Sequence, residues 1–279
     1  MQRVIFSITL AGLALTLALI APESADAQRS GRRGASEQGA PTIRDLDTIT
    51  PRLQSTSPDE IRQAIDMLTI IDHPRVIPPL ADLLRAGQAD QVTDRALESL
   101  RGLAHPSSLD VLTEFTQHRR VGARRRAYQA VAAIEDDRVP AILEQGLRDS
   151  DRSVRSESAL ALGSVGATSS LDTLFRAFER GVVEAAISIG KLGDEDSIER
   201  FSEHLGRRPL AIMLSGYQEF LGRREISNDA KAAIVGRLGE VSTPMVRRFL
   251  SDYLASFSPR DRSELKTAVE ETIQRIPEA

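Results

Sequence analysis

Past residue 42 the chain alternates between blocks in which apolar residues recur every three to five positions and short polar or proline-bearing breaks. That is the pattern of amphipathic helices joined by tight turns. The blocks are themselves periodic. With Ala64, Ala96 and Ala127 in register the spacings are 32 and 31 residues, and the breaks His73-Pro74, His105-Pro106, Asp136-Asp137 and Ala167-Thr168 fall at one repeat position. Each break is followed by a second apolar block: Val76, Leu80 and Leu84; Leu109, Leu112 and Phe115; Val139, Ile142 and Leu147; Leu171, Leu174 and Phe178. The other helix of each unit mixes small and large residues, as in Ala127, Ala130, Val131 and Ile134 or Ala159, Leu162 and Val165, so that two helices can approach closely. The pattern returns at Ala185, Ala186, Ile189, Gly190 and Leu192 after a shortened step of 27 residues.

Helix punctuation agrees with this reading. Ser57 is predicted as an N-cap, with Pro58 in the first turn and Glu60 completing a capping box. Beyond Leu210 the register loosens, yet helices are predicted near 209–221, 227–239, 243–257 and 260–276, with starts marked by Asn228-Asp229 and Ser258-Pro259. Helix pairs that cannot bury their apolar faces alone must stack on their neighbours. The predicted fold class is therefore all-α, an α-solenoid of stacked antiparallel helix pairs over 43–279. Its clear repeats span 58–205 and a degenerate helical cap spans 206–279.

Residues 1–27 follow the plan of an export signal: Arg3, an apolar run from Val4 to Ala21, Pro22, then Ala25 and Ala27 around Asp26. Cleavage is expected after Ala27, with an uncleaved amino-terminal membrane anchor as the alternative, and the product is expected to be periplasmic or secreted. Residues 28–42 are predicted to be a flexible linker, because the stretch from Gln28 to Pro41 is Gly, Ser, Arg and Gln with almost nothing apolar to offset the entropy of ordering. No membrane span is expected once the signal is removed.

The stretch Leu147-Arg-Asp149-Ser-Asp151-Arg-Ser-Val154-Arg155-Ser-Glu-Ser-Ala159-Leu-Ala161-Leu162-Gly163-Ser-Val165-Gly166 resembles the HEAT repeat, in the short form also found in phycobilisome lyase subunits. Val121, Arg124, Ala127, Ala130 and Val131 match it in part, with a different Val-to-Arg spacing, and Leu192-Gly193-Asp194 repeats the helix ending. The resemblance implies a right-handed array in which the first helix of a pair lies on the convex side and the second lines the concave side. It implies no reaction. An enzyme subunit resembling bilin lyases is carried as an alternative.

Composition narrows the chemistry. The chain has no Cys and no Trp, which excludes a disulfide framework, a thiolate metal site and a Cys nucleophile. Without residues 1–27 it carries 35 basic and 38 acidic residues, a net charge of −3, which gives no overall drive toward nucleic acid. His73 and His105 precede Pro at one repeat position, where capping outweighs a metal site, while His118 and His204 stand near helix ends, where a charged imidazole would meet the helix dipole. Paired acids such as Asp136-Asp137, Asp149 with Asp151 and Asp194-Glu195-Asp196 sit at turns and read as caps. No phosphate loop, nucleophile elbow or His-Glu-x-x-His appears, so no catalytic residue, metal or cofactor is assigned.

Two binding surfaces remain. Arg119, Arg120, Arg124, Arg125 and Arg126 form the densest charge cluster, a candidate anion patch. If Val154, Ser158, Ala159, Leu162 and Val165 face the core, then Ser156, Glu157, Leu160 and Ser164 face the groove. Carried through the repeats, position 160 gives Asp66, Glu98, Gln129, Leu160 and Ile187, and position 157 gives Gln63, Arg95, Arg126, Glu157 and Glu184. The expected function is an exported scaffold that binds a protein or peptide along this groove. A polyanion-binding module using the arginine cluster is a further alternative.

Overall fold

A computed structural model describes residues 40–277. The segment expected to be an export signal, 1–27, and nearly all of the expected linker, 28–42, lie outside the described residues. From Ala40 onward the chain forms one compact unit, all-α among the described residues. Its helices are α1 (Leu46–Ile49), α2 (Pro58–Ile71), α3 (Ile77–Arg85), α4 (Asp90–Leu103), α5 (Leu109–Phe115), α6 (Val121–Ala132), α7 (Val139–Gly146), α8 (Arg152–Ser164), α9 (Leu171–Glu179), α10 (Ala185–Leu192), α11 (Glu195–Ser202), α12 (Leu210–Gly222), α13 (Asn228–Val241), α14 (Pro244–Leu254) and α15 (Glu264–Arg275).

The even-numbered helices from α2 to α12 stack directly on one another, while the odd-numbered helices from α3 to α11 form a second, more loosely stacked layer. Side-chain size explains the difference. The register alanines Ala64, Ala96 and Ala127 are all fully buried, as are Leu68, Leu100, Val131, Leu162 and Ile189, which follow in the same helices. Gly163 lies so close to α10 that a Cβ there would sit 2.5 Å from Ser188 Oγ, and a Cβ on Gly190 would collide with the Gly216 carbonyl of α12. Ser188 Oγ also donates to the Ala159 carbonyl at 2.7 Å, tying α10 to α8. Closer stacking in the even layer bends the array toward it, so its outward face is the concave one.

Three of the four breaks share one mechanism, and the fourth, at Ala167, has no side-chain cap. His73 Nδ1 accepts from Arg75 N–H at 3.1 Å, His105 Nδ1 from Ser107 N–H at 3.2 Å, and Asp136 Oδ1 from Arg138 N–H at 2.9 Å. An imidazole nitrogen and a carboxylate oxygen thus do the same capping work one repeat apart. Asp72 and Ala104, immediately before the two histidines, take left-handed backbone at φ 46° and stop α2 and α4.

Four local expectations differ from the structure. Ser57 has the extended backbone of an N-cap but its side chain makes no capping bond; Ser55 does the work, its hydroxyl accepting from Ser57 N–H and donating to the Glu60 carboxylate. His118 is engaged at the turn before α6 and not with a helix C-terminus: its Nδ1 accepts from Arg120 N–H and its ring stacks on Phe115. His204 packs edge-on against Phe178, and burial pushes its pKa below the usual imidazole value, which disfavours the charged form. The Val121-to-Val154 register is also off. Arg124 Nη1 donates to the carbonyls of His118 and Arg119, and Arg155 Nη1 does the same to those of Asp149 and Ser150. These equivalent arginines, 31 residues apart, align Ala123 with Val154, both fully buried, while Val121 is half-buried.

Candidate functional site

The candidate groove residues all lie on the outward face of the even layer, but they form two different surfaces. On α2, α4 and α6 the charges satisfy one another. Arg95 of α4 reaches back to Asp66 of α2 at 2.5 Å, Arg101 holds Glu98 at 2.6 Å, and Arg126 of α6 reaches Asp94 of α4 at 3.4 Å. The Arg101 guanidinium keeps the Glu98 carboxyl below the usual carboxylate range. Gln129 Nε2 of α6 then donates to Glu157 Oε2 of α8 at 2.8 Å, and this is where the self-pairing ends.

On α8 and α10 the same positions carry Glu157, Leu160, Glu184 and Ile187, all half-buried. Neither glutamate is in an ion pair among the described residues. Glu184 Oε2 is shielded from solvent and has no hydrogen-bond partner among the described residues, an arrangement that costs free energy. Its position follows from the fold, since Glu184 is the residue at which α10 begins, on the half-turn that replaces the missing part of the shortened repeat. Two acids without cations and two apolar side chains thus share one stretch of the concave face.

The arginine cluster is not a single anion patch. Arg120 is committed to Asp90 and Asp94, Arg124 to Asp149 through a doubly bonded pair at 2.8 Å, and Arg126 to Asp94. The Arg124 and Asp149 side chains are only 12% and 9% exposed, which makes this pair part of the frame rather than a free cation. Arg119 and Arg125 are exposed and make no ion pair among the described residues. Contiguous arginines look like a patch in sequence, but helical geometry points them at acids of the preceding and following units.

Sequence reasoning placed Ser164 on this face but did not follow its position through the repeats, where it forms an exposed line. The positions equivalent to Ser164 are Ile70, Gly102, Ala133, Ser164 and Lys191, all exposed, and Ile70 at 56% is the most exposed large apolar side chain among the described residues. It lies four residues beyond Asp66, so the helical spacing already signalled it. Among the described residues no group of three or more His, Asp or Glu is placed to hold a metal ion, and no helix is long and apolar enough to cross a membrane.

Comparison with known proteins fits this architecture. The family of HEAT repeats matches residues 89–163 and 109–184. Among solved structures, a chain of the AP-3 complex in an intermediate open conformation, itself a homology model, shares 12% identity at a TM-score of 0.54 over 82% of this chain and 49% of that one, so this chain spans about half its length. The CpcE–CpcF complex of phycocyanin lyase from Nostoc shares 15% identity at a TM-score of 0.44, covering 83% of this chain and 94% of that one. Human deoxyhypusine hydroxylase with glycerol shares 14% identity at a TM-score of 0.42, covering 84% and 96%. No curated protein matches the chain. The AP-3 likeness bears on the helical-repeat fold alone.

Proposed function

Starting from an all-α array whose middle carries HEAT repeats, we propose that the chain is an exported binding scaffold, without catalytic activity of its own, that takes a protein or peptide segment across α8 and α10. The segment presents a cationic side chain to Glu157 and Glu184 and an apolar side chain between Leu160 and Ile187. The observation that carries this reading is the shielded, unpartnered Glu184 Oε2 beside two apolar groove residues, on a face whose other half neutralises itself. A fully paired surface offers a partner little electrostatic gain, because each new contact must first displace an internal one. An unpaired carboxylate next to apolar side chains has both a charge to satisfy and area to bury.

The test is selection from a random peptide library against the chain from Gln28 onward. Selected sequences are expected to pair Arg or Lys with a large apolar residue, and their affinity is expected to fall at least about tenfold in Glu184→Gln and in Leu160→Glu/Ile187→Glu. Selection of acidic sequences, or affinities unchanged in both variants, would reject the groove as the site. Export is tested separately: amino-terminal sequencing of the chain recovered from the medium or periplasm should begin at Gln28, and retention in the cytoplasm would reject it.

A further inference from the structure

A second site lies away from the groove, where the stacking changes. Beyond α12 the even layer does not continue; α13 pairs with α15 instead and meets α12 only lightly. The resulting cleft encloses about 940 Å³ between the end of α12, the start of α13 and the face of α14, within the range of small-molecule sites. One wall is aromatic. Phe249, Tyr253 and Phe257 recur every fourth residue along α14 and the turn after it, all half-buried, with Tyr253 and Phe257 edge to face at 5.1 Å. These are three of the chain's eleven Phe and Tyr residues, so the cleft concentrates a scarce residue type.

Lys231 also lines this cleft and is only 9% exposed. Among the described residues its ammonium group has no ion pair and no hydrogen bond, and burial pushes its pKa down. The choice of lysine stands out, because only three of the 36 basic residues are lysines. Arginines elsewhere in this chain are spent on carbonyls and carboxylates, as Arg124, Arg155 and Arg223 show. Of the other two lysines, Lys191 is exposed and Lys266 donates to the Ser258 and Asp261 carbonyls. Lys231 is therefore a largely buried lysine with no direct ion-pair or hydrogen-bond partner among the described residues.

The remaining charges limit what can supply it. Glu219, Asp252 and Asp261 also line the cleft, with Arg224 as the second cation, and Glu225 is near enough to act on Lys231 through space. Those acids repel a ligand with several negative charges. A cationic ligand would meet the aromatic wall but bring like charge against Lys231. We propose that the cleft binds a small monocarboxylic acid with an apolar body, its carboxylate on Lys231 and its body against Phe249, Tyr253 and Phe257. The site is independent of the groove and stands or falls without it.

Having three lysines makes the test direct. The whole chain is prepared with 13C at lysine Cε, which gives three signals, and is titrated with 3-phenylpropionate and with the matched amide, 3-phenylpropanamide. The acid should move the Lys231 signal alone and saturably, bind at least about tenfold more tightly than the amide, and raise the Lys231 pKa in the complex. Lys231→Met should abolish the preference for acid over amide while leaving the helical circular dichroism intact. If that variant fails to fold, Phe257→Ala, at a half-buried position, should weaken acid binding at least about fivefold in its place. Equal binding of acid and amide, no shift at Lys231, or equal shifts at all three lysines would overturn the proposal. So would capture of a peptide ending in phenylalanine by a cleft that ignores the free acid.

Discussion

The two halves of the concave face share one backbone design and differ in what they do with charge. On α2, α4 and α6 every acid at a candidate groove position meets an arginine of its own or the neighbouring helix, as in Asp66 with Arg95 and Glu98 with Arg101. On α8 and α10 the equivalent positions hold Glu157 and Glu184, in no ion pair among the described residues, and Leu160 and Ile187 in place of acids. Repeat architecture explains how both can exist. The buried faces must match from unit to unit because each stacks on the next, whereas the outward face is free to vary. A surface that neutralises itself contributes to cohesion between helices, and one that does not is the surface we propose for a partner.

The comparison breaks most severely at Leu162, fully buried in α8 beneath the second half. Leu162→Asp is expected to cost about 4 kcal/mol or more, because it places an unpaired charge in an apolar core. A melting temperature equal to that of the parent would show that the register of α8 is wrong. Arg124→Ala comes next. It leaves Asp149 without its doubly bonded partner and frees the His118 and Arg119 carbonyls, an expected loss of about 2 kcal/mol in urea unfolding. An effect below about 0.5 kcal/mol would return Arg124 to the class of surface cations.

Acid should act at several turns at once. Asp136 is held at about 2, first by the Arg138 side chain and then by its backbone N–H, and Asp194 is lowered in the same direction by Ser197. Because these pKa values are depressed on folding, their stabilising contribution is present above the unfolded value of 3.8 and is lost as pH falls toward about 2. His204 adds a loss that begins higher. Its folded pKa lies below 6.5, so the unfolded chain takes up the proton first as pH drops through that value. Melting temperature should therefore decline gently below pH 6.5 and steeply below pH 4; a profile that is flat down to pH 3 would contradict the capping assignments. The smallest expected effects are on the groove itself. Glu184→Gln and Asp66→Asn should each change stability by no more than about 0.5 kcal/mol, yet only the first should weaken a selected basic peptide.

Much of the fold was legible because it is written in periodicities. Ala64, Ala96 and Ala127 marked the buried layer, and the four breaks marked the turns, since a helical array repeats its core and its caps at a fixed interval. The helix starts at Ser57 and Pro58 as the sequence indicates, but the capping box does not form, because Ser55 and Ser57 offer the same hydroxyl two residues apart and only the backbone path decides which one reaches Glu60. The site was less legible. The sequence placed Glu157, Leu160, Glu184 and Ile187 on one face, but it could not show that the arginines near Asp66 and Asp94 would turn inward to them, because those pairs join helices 26 to 32 residues apart in sequence. The cleft at Lys231 was missed although Phe249, Tyr253 and Phe257 stand at helical spacing. What forms it is a change of partner, α13 leaving the stack for α15, and no local pattern announces that.

Charge complementarity at α8 and α10 is the central feature of the proposed binding surface, and a charge-reversal titration tests it most directly. A selected peptide carrying Arg and its counterpart carrying Glu are each titrated into the parent chain and into Glu157→Lys/Glu184→Lys, with helical content checked in both. The account predicts that the basic peptide binds the parent and loses at least about tenfold in the variant, while the acidic peptide gains at least about tenfold there. Equal affinity of the basic peptide for both chains would contradict it and place the binding surface elsewhere on the array.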